Sequence, residues 1–226
     1  MKTYLPFGFI TITSAILINY NNSDCPNIQL QNDVNLTEYI RATWYIQQQQ
    51  INGYQPENDL YCVTATYNLD NHSRVPLFNG TVLSVYNYAN HNHVNGPHTP
   101  VNNYSILCAR QPNQSQPEKL LVAPCFLPNI FSGPYWIVSA GPSSNNYEWA
   151  IVSGGNPNIR IDNQTCTTSQ RGIHGSGLWI FSRNQTLDDV SLKYIRNVLT
   201  KKGISTSRLL NVTQQGCNYT GAFIKK

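Results

Sequence analysis

Apolar and polar positions alternate with a period of two in short runs, and clusters of Asn, Pro, Gly and Ser separate the runs. That pattern predicts strands. The runs are 42–49, 61–67, 81–88, 104–110, 119–126, 135–140, 148–153 and 177–183. No crossover helix fits between them, so they read as eight strands of an up-and-down antiparallel sheet, closed into a barrel. Periodicity alone also allows an open two-sheet sandwich. Two helices are predicted. Residues 35–40 can make a single turn that plugs the chain ahead of the first strand. Residues 188–202 form a longer helix, with Thr186 as its cap, acids in its first turn, Lys201 and Lys202 in its last, and Gly203 as its stop. Its apolar stripe, Leu187, Val190, Ile195, Val198 and Leu199, needs a surface to lie on, and the outside of the barrel supplies one. Residues 204–210 can add an edge strand.

Alternation also sorts side chains between the two faces of each strand. In the last run Trp179, Phe181 and Arg183 share one face, while Leu178, Ile180 and Ser182 share the other. Both faces are largely apolar, which requires a lumen on one side and the helix on the other. In the second run Val63, Ala65 and Tyr67 face inward if Cys62 reaches a tail packed outside. A wall that mixes aromatic and small residues encloses a cavity rather than a filled core.

Composition narrows the function. Charged residues are 12% of the 226, and the net charge of +4 has no Lys/Arg run behind it. Nucleic-acid binding therefore has no electrostatic footprint. The six cysteines stand at 25, 62, 108, 125, 166 and 217, widely spaced and without a Cys-x-x-Cys pair. They read as disulfides in an oxidising compartment rather than as zinc ligands. Lys2 followed by a short apolar run, 5–18, reads as a secretory signal of about 20 residues, cleaved between Ala15 and Asp24. Residues 21–226 are then one domain, extracellular and without a transmembrane segment. Ten Asn-x-Ser/Thr sequons, at Asn21, Asn35, Asn71, Asn79, Asn103, Asn113, Asn163, Asn184, Asn211 and Asn218, fit a secreted glycoprotein.

Catalytic chemistry finds little purchase. There is no Gly-x-Ser-x-Gly elbow and no phosphate loop. Asp188 and Asp189 complement a helix dipole rather than form an acid–base pair. His91, His93 and His98 lie in an Asn/Pro/Gly-rich loop without supporting carboxylates, and read as solvated rather than as metal ligands. His174 falls near the barrel mouth. Glu148 is the nearest candidate for an inward-facing acid, alternating with Trp149. The inward columns show neither acid nor histidine.

The ordered motifs resemble the lipocalin family, on its apolipoprotein D, Lazarillo and bilin-binding branch. They are Cys25-Pro26, residues 39–45 with Trp44, residues 62–67, residues 134–137 with Tyr135, and residues 178–183 with Arg183. The helix ahead of Cys217 completes them, and the resemblance runs from Asp24 to about Asn218. It implies an eight-stranded calyx with one helix outside. In its cavity sits a small hydrophobic ligand: fatty acid, retinoid, sterol or bilin. That ligand is cargo, with no catalytic cofactor and no enzyme activity. An enzyme on the same barrel and an amine- or haem-scavenging lipocalin are the alternatives. Tyr67, Trp179, Phe181, Val63, Ala65 and Tyr135 fall where ligand contacts are expected, and Trp44 beneath Arg183 closes the base. The resemblance further implies Cys25–Cys166, Cys62–Cys217 and Cys108–Cys125 pairing, contact with a receptor or lipoprotein, and a monomer or weak dimer. Ala42 replaces the family's usual Gly, and the family's Thr-Asp-Tyr motif is not legible across residues 140–147.

Overall fold

The protein is described here from a computed structural model that covers residues 25–72, 75–98, 106–172 and 174–226. The signal segment, the sequons at Asn21 and Asn103, and the first two residues of the expected fourth strand lie outside these. Among these described residues eleven strands follow one another. They are β1 (Trp44–Gln49), β2 (Tyr61–Leu69), β3 (Thr81–Asn90), β4 (Leu107–Gln111), β5 (Lys119–Pro124), β6 (Gly133–Ser143), β7 (Asn146–Ser153), β8 (Ile159–Arg160), β9 (Cys166–Thr167), β10 (Leu178–Ser182) and β11 (Leu210–Asn211). Strands β1 to β7 pair in sequence, β10 pairs with β7, and β10 also pairs with β1, so the sheet closes into an eight-stranded antiparallel barrel. An open sandwich is thereby excluded. The short β11 adds to β1 outside the barrel, and β8 and β9 make a separate ladder. Of the edge strand expected at 204–210, only Leu210 lies in a strand, as the first residue of β11.

The barrel strands carry the two apolar faces that the alternation demanded. Inside, Trp44, Ile46, Val63, Tyr67, Val85 and Phe181 belong to one buried cluster. Outside, Val138, Ile151, Leu178 and Ile180 pack with Ile195 and Leu199 of helix α2 (Asp189–Lys201). The cap of α2 is Asp188, not Thr186: its carboxylate accepts the Ser191 backbone N–H at 2.8 Å and the Ser191 hydroxyl at 2.7 Å. Val190, expected in the packing stripe, is 80% exposed. It precedes Ile195 by five residues, which places it about 140° around the helix and toward solvent. Gly203 stops the helix at a positive φ of 75°.

The disulfides join Cys25 to Cys166, Cys62 to Cys217 and Cys108 to Cys125. The second fastens the C-terminal tail along the outside of the barrel. Thr66 donates to the Phe223 carbonyl at 2.7 Å, and Phe223 stacks on Tyr86 at 4.7 Å. The third staples β4 to the residue after β5 across a separation of 17 residues. Closing a loop of that length restricts the unfolded chain by about 3 kcal/mol. Replacing Cys108 and Cys125 together by Ala is expected to lower the urea-unfolding free energy by about that amount. An unchanged midpoint would show that the staple does not stabilise the barrel.

Candidate functional site

The closed end is built first in the chain. Asn35 caps the single turn α1 (Leu36–Tyr39) by accepting the Glu38 N–H at 3.1 Å, and the turn delivers Tyr39 into the barrel axis. Trp44 follows, fully buried, its indole N–H on the Tyr39 carbonyl at 2.9 Å. The Arg183 guanidinium lies 3.3 Å from the centre of the Trp44 ring. Its N–H groups reach the carbonyls of Tyr147 at 3.2 Å, Glu38 at 3.1 Å, Tyr39 at 2.8 Å and Ala42. Ala42 is not among the positive-φ residues, so its methyl group is accommodated where glycine was expected.

Above this base lie three tyrosines. Tyr135 is hydrogen-bonded to Tyr39 at 2.6 Å and to Tyr67 at 2.8 Å. Burial pushes all three phenols well above their ordinary range, so each stays neutral and protonated. The cavity over them has a volume of about 800 Å³. Ile46, Val63, Ala65, Val85, Val122 and Phe181 form its apolar walls. Its rim mixes polar and aromatic side chains from four loops, with Tyr54, Gln55 and Asp59 after β1, His91 and His98 after β3, Phe131 ahead of β6, and Ser176 ahead of β10. Cavities in this size range hold drug-sized ligands when a few placed polar groups interrupt an apolar lining.

All six residues singled out as contact candidates line this one cavity: Tyr67, Trp179, Phe181, Val63, Ala65 and Tyr135. Trp44 and Arg183 sit beneath it. Glu148 does not face it. Its carboxylate pairs with Arg41 at 2.8 Å on the exposed side of the closed end, and Trp149 packs outside against Tyr194. His174 is exposed and does not line the cavity.

The histidine loop is the main correction. His91 and His98 line the rim, and His91 has the carboxylate that sequence reading denied it: Asp59, at 2.5 Å from Nδ1. His98 lies against the Tyr88 ring at 4.9 Å. Asp59 comes from the β1–β2 loop, and no periodic signal reports where such a loop folds. Among the described residues no three metal-ligating side chains converge. Val85 was within reach of the parity argument, since it stands opposite Tyr67 in the β2–β3 register.

No protein-family model matches the chain. Among curated proteins it is similar to apolipoprotein D of the mouse, Mus musculus: 26% identical over 212 residues, covering 91% of this chain and 90% of that protein. Apolipoprotein D of Cavia porcellus is 24% identical over 199 residues, covering 85% and 84% respectively. Among solved structures, the allergen Per a 4 from cockroaches superposes with a TM-score of 0.52 at 19% identity, over 88% of this chain and 98% of that one. Apocrustacyanin C2 gives 0.51 at 18% identity, over 88% and 95%. The curated relatives thus stand where the motif resemblance put them, and the solved neighbours share the lipocalin barrel.

Proposed function

We propose that this chain is a secreted carrier or scavenger that holds one small, largely apolar molecule inside its barrel, such as a fatty acid, retinoid, sterol or tetrapyrrole. The observation that carries this is the cavity of about 800 Å³, sealed by the Trp44–Arg183 base and open at a rim of polar and aromatic side chains. Holding such a ligand needs no covalent step. Burying on the order of 300 Å² of its apolar surface yields about 7 kcal/mol at about 25 cal/mol per Å², and association costs about 4 kcal/mol or more of that. The similarity to apolipoprotein D supports the reading through that protein's name alone.

Residues 1–20 act, on this proposal, as the secretory signal, and residues 21–226 as the mature domain. The three disulfides fit an oxidising compartment. Among the described residues no helix is long and apolar enough to cross a membrane. The eight described sequon asparagines all lie exposed, open to glycosylation on that route.

Protein expressed through a secretory pathway is expected to co-purify with, or take up, one apolar molecule per chain. Organic extraction with mass spectrometry would identify it. Its re-addition should quench tryptophan emission, and Trp179→Phe should remove most of that quench because Trp179 lines the cavity. A protein that ignores fatty acids, retinoids, sterols and tetrapyrroles alike would end the carrier reading. One observation favours a second reading. Asp59 on the rim suits a cationic amine, and selective binding of amines that Asp59→Asn abolishes would put that reading first.

A further inference from the structure

The run Gln47-Gln48-Gln49-Gln50 crosses the end of β1, and three of its four carboxamides have partners at both ends. Gln47 donates to the Asn184 and Gln185 carbonyls and accepts the Leu187 N–H. Gln48 donates to Asn211 at 2.6 Å and accepts from Arg196 at 2.7 Å. Gln50 donates to the Thr168 and Ser169 carbonyls and accepts from Thr167. Gln49 is different. It is 0% exposed, and neither its Nε2 nor its Oε1 has a hydrogen-bond partner in the protein.

The register explains which way it faces. Ile46 stands opposite Phe181 on β10, then the pairing slips between Ile46 and Gln48, so that Gln48 opposes Ile180 and Gln49 opposes Trp179. Directly opposed residues share a face of the sheet. Phe181 and Trp179 face the cavity, so the irregularity brings Gln49 inward with them and sends Gln48 outward to helix α2. Gln49 lines the cavity. So does Ser176, which is 4% exposed and whose hydroxyl also has no partner in the protein. A buried carboxamide with both ends unmatched is costly to keep, and an apolar residue at that position would avoid the cost.

On the carrier reading above, we propose that Gln49 and Ser176 form a polar anchor in the upper wall of the barrel for a neutral ligand carboxamide. Such a group presents a donor and an acceptor side by side, which matches both ends of the Gln49 carboxamide once a rotation of that side chain turns it from its covered position to the lumen. The Ser176 hydroxyl supplies a further donor or acceptor. A carboxylate suits the place less well. It leaves Oε1 unmatched and shares the cavity with the acidic Asp59. The ligand's hydrocarbon then points down β1 toward Ile46, Phe181 and Tyr67.

Tryptophan-fluorescence titration with tetradecanamide and with methyl tetradecanoate, which accepts but does not donate, tests this on the intact protein. Wild type is expected to bind the amide about tenfold more tightly, the factor given by one hydrogen bond of ordinary net strength. Gln49→Leu should bring the two within about twofold of each other while keeping its hold on the ester. Ser176→Ala, a milder change that carries the test if Gln49→Leu does not fold, should cut the preference to about threefold. Equal binding of amide and ester by wild type, or a preference that survives both substitutions, overturns the anchor and leaves the carrier reading standing. Binding of neither compound also overturns the anchor, and the carrier reading is then decided by the retinoids, sterols and tetrapyrroles of the wider panel.

Discussion

Between about pH 10.5 and 11.5 the protein is expected to lose folding stability at about 3 kcal/mol per pH unit or more. The main cause is the buried trio of Tyr39, Tyr67 and Tyr135, whose phenols burial raises above the ordinary 10.0. The unfolded chain releases these three protons near pH 10, and the folded chain retains them. A raised folded pKa gives stability that is complete below the unfolded pKa and lost as pH climbs toward the folded one. Three phenols contribute about 4 kcal/mol per pH unit of loss. Arg183 acts in the opposite sense, because burial lowers its guanidinium to about 10 from 12.5. It gives back about 1.4 kcal/mol per unit, the contribution of one proton. Lys202 and Lys225, also lowered by burial, act in the same sense as Arg183, whereas Tyr45, Tyr54 and Tyr219, whose phenols burial also raises, add to the loss. Urea-unfolding free energies across this range measure the slope, and Tyr67→Phe should flatten it by about 1.4 kcal/mol per unit. A slope near zero, or one indifferent to Tyr67→Phe, would mean that the trio is accessible to hydroxide in the folded state.

The barrel was legible because its strands are buried on both faces or alternate cleanly, and because polar, glycine- and proline-rich loops separate them. Parity placed Trp179 and Phe181 inside and Leu178 and Ile180 under the helix, which is how the register sets them. The same argument needs an unbroken count of two, and β1 breaks it. The slip after Ile46 turns Gln49 inward, so a continuous count along 42–49 misplaces the glutamine of β1 that reaches the cavity.

The rim was opaque for another reason. Asp59 and His91 are 32 positions apart, on loops whose approach depends on the closure of the whole sheet. The helix cap failed on local chemistry. Thr186 and Asp188 are both good capping residues, and the choice fell to Asp188 because its carboxylate serves the N–H and the hydroxyl of Ser191 together. The structural base and the cavity walls could thus be read from the chain, whereas the polar groups that would discriminate among ligands could not.

Replacing Arg183 by Ala is expected to destabilise the protein by about 4 kcal/mol, among the largest effects of any single substitution. Arg183 is the joint of the closed end. One planar group donates to four carbonyls from three segments of chain, those of Glu38 and Tyr39 in the plug, Ala42 ahead of β1, and Tyr147 in β7. Hydrogen bonds to a charged donor are each worth about 1.5–3 kcal/mol, and truncation leaves several partners unmatched at once. The stack on Trp44 adds about 0.5–2 kcal/mol. The neighbouring Glu38–Arg41–Glu148 ion pairs are comparatively exposed, so they contribute about 1 kcal/mol or less and cannot hold the plug alone. Arg183→Lys keeps the charge but loses the planar fork, and should recover less than half of the loss. Urea unfolding measures each variant, and near-ultraviolet circular dichroism reports the buried Trp44. A double-mutant cycle of Arg183→Ala with Trp44→Leu isolates the stack, with an expected coupling of about 1 kcal/mol. A loss below about 1 kcal/mol for Arg183→Ala would mean that the apolar contacts around Trp44 seal the barrel without the cation.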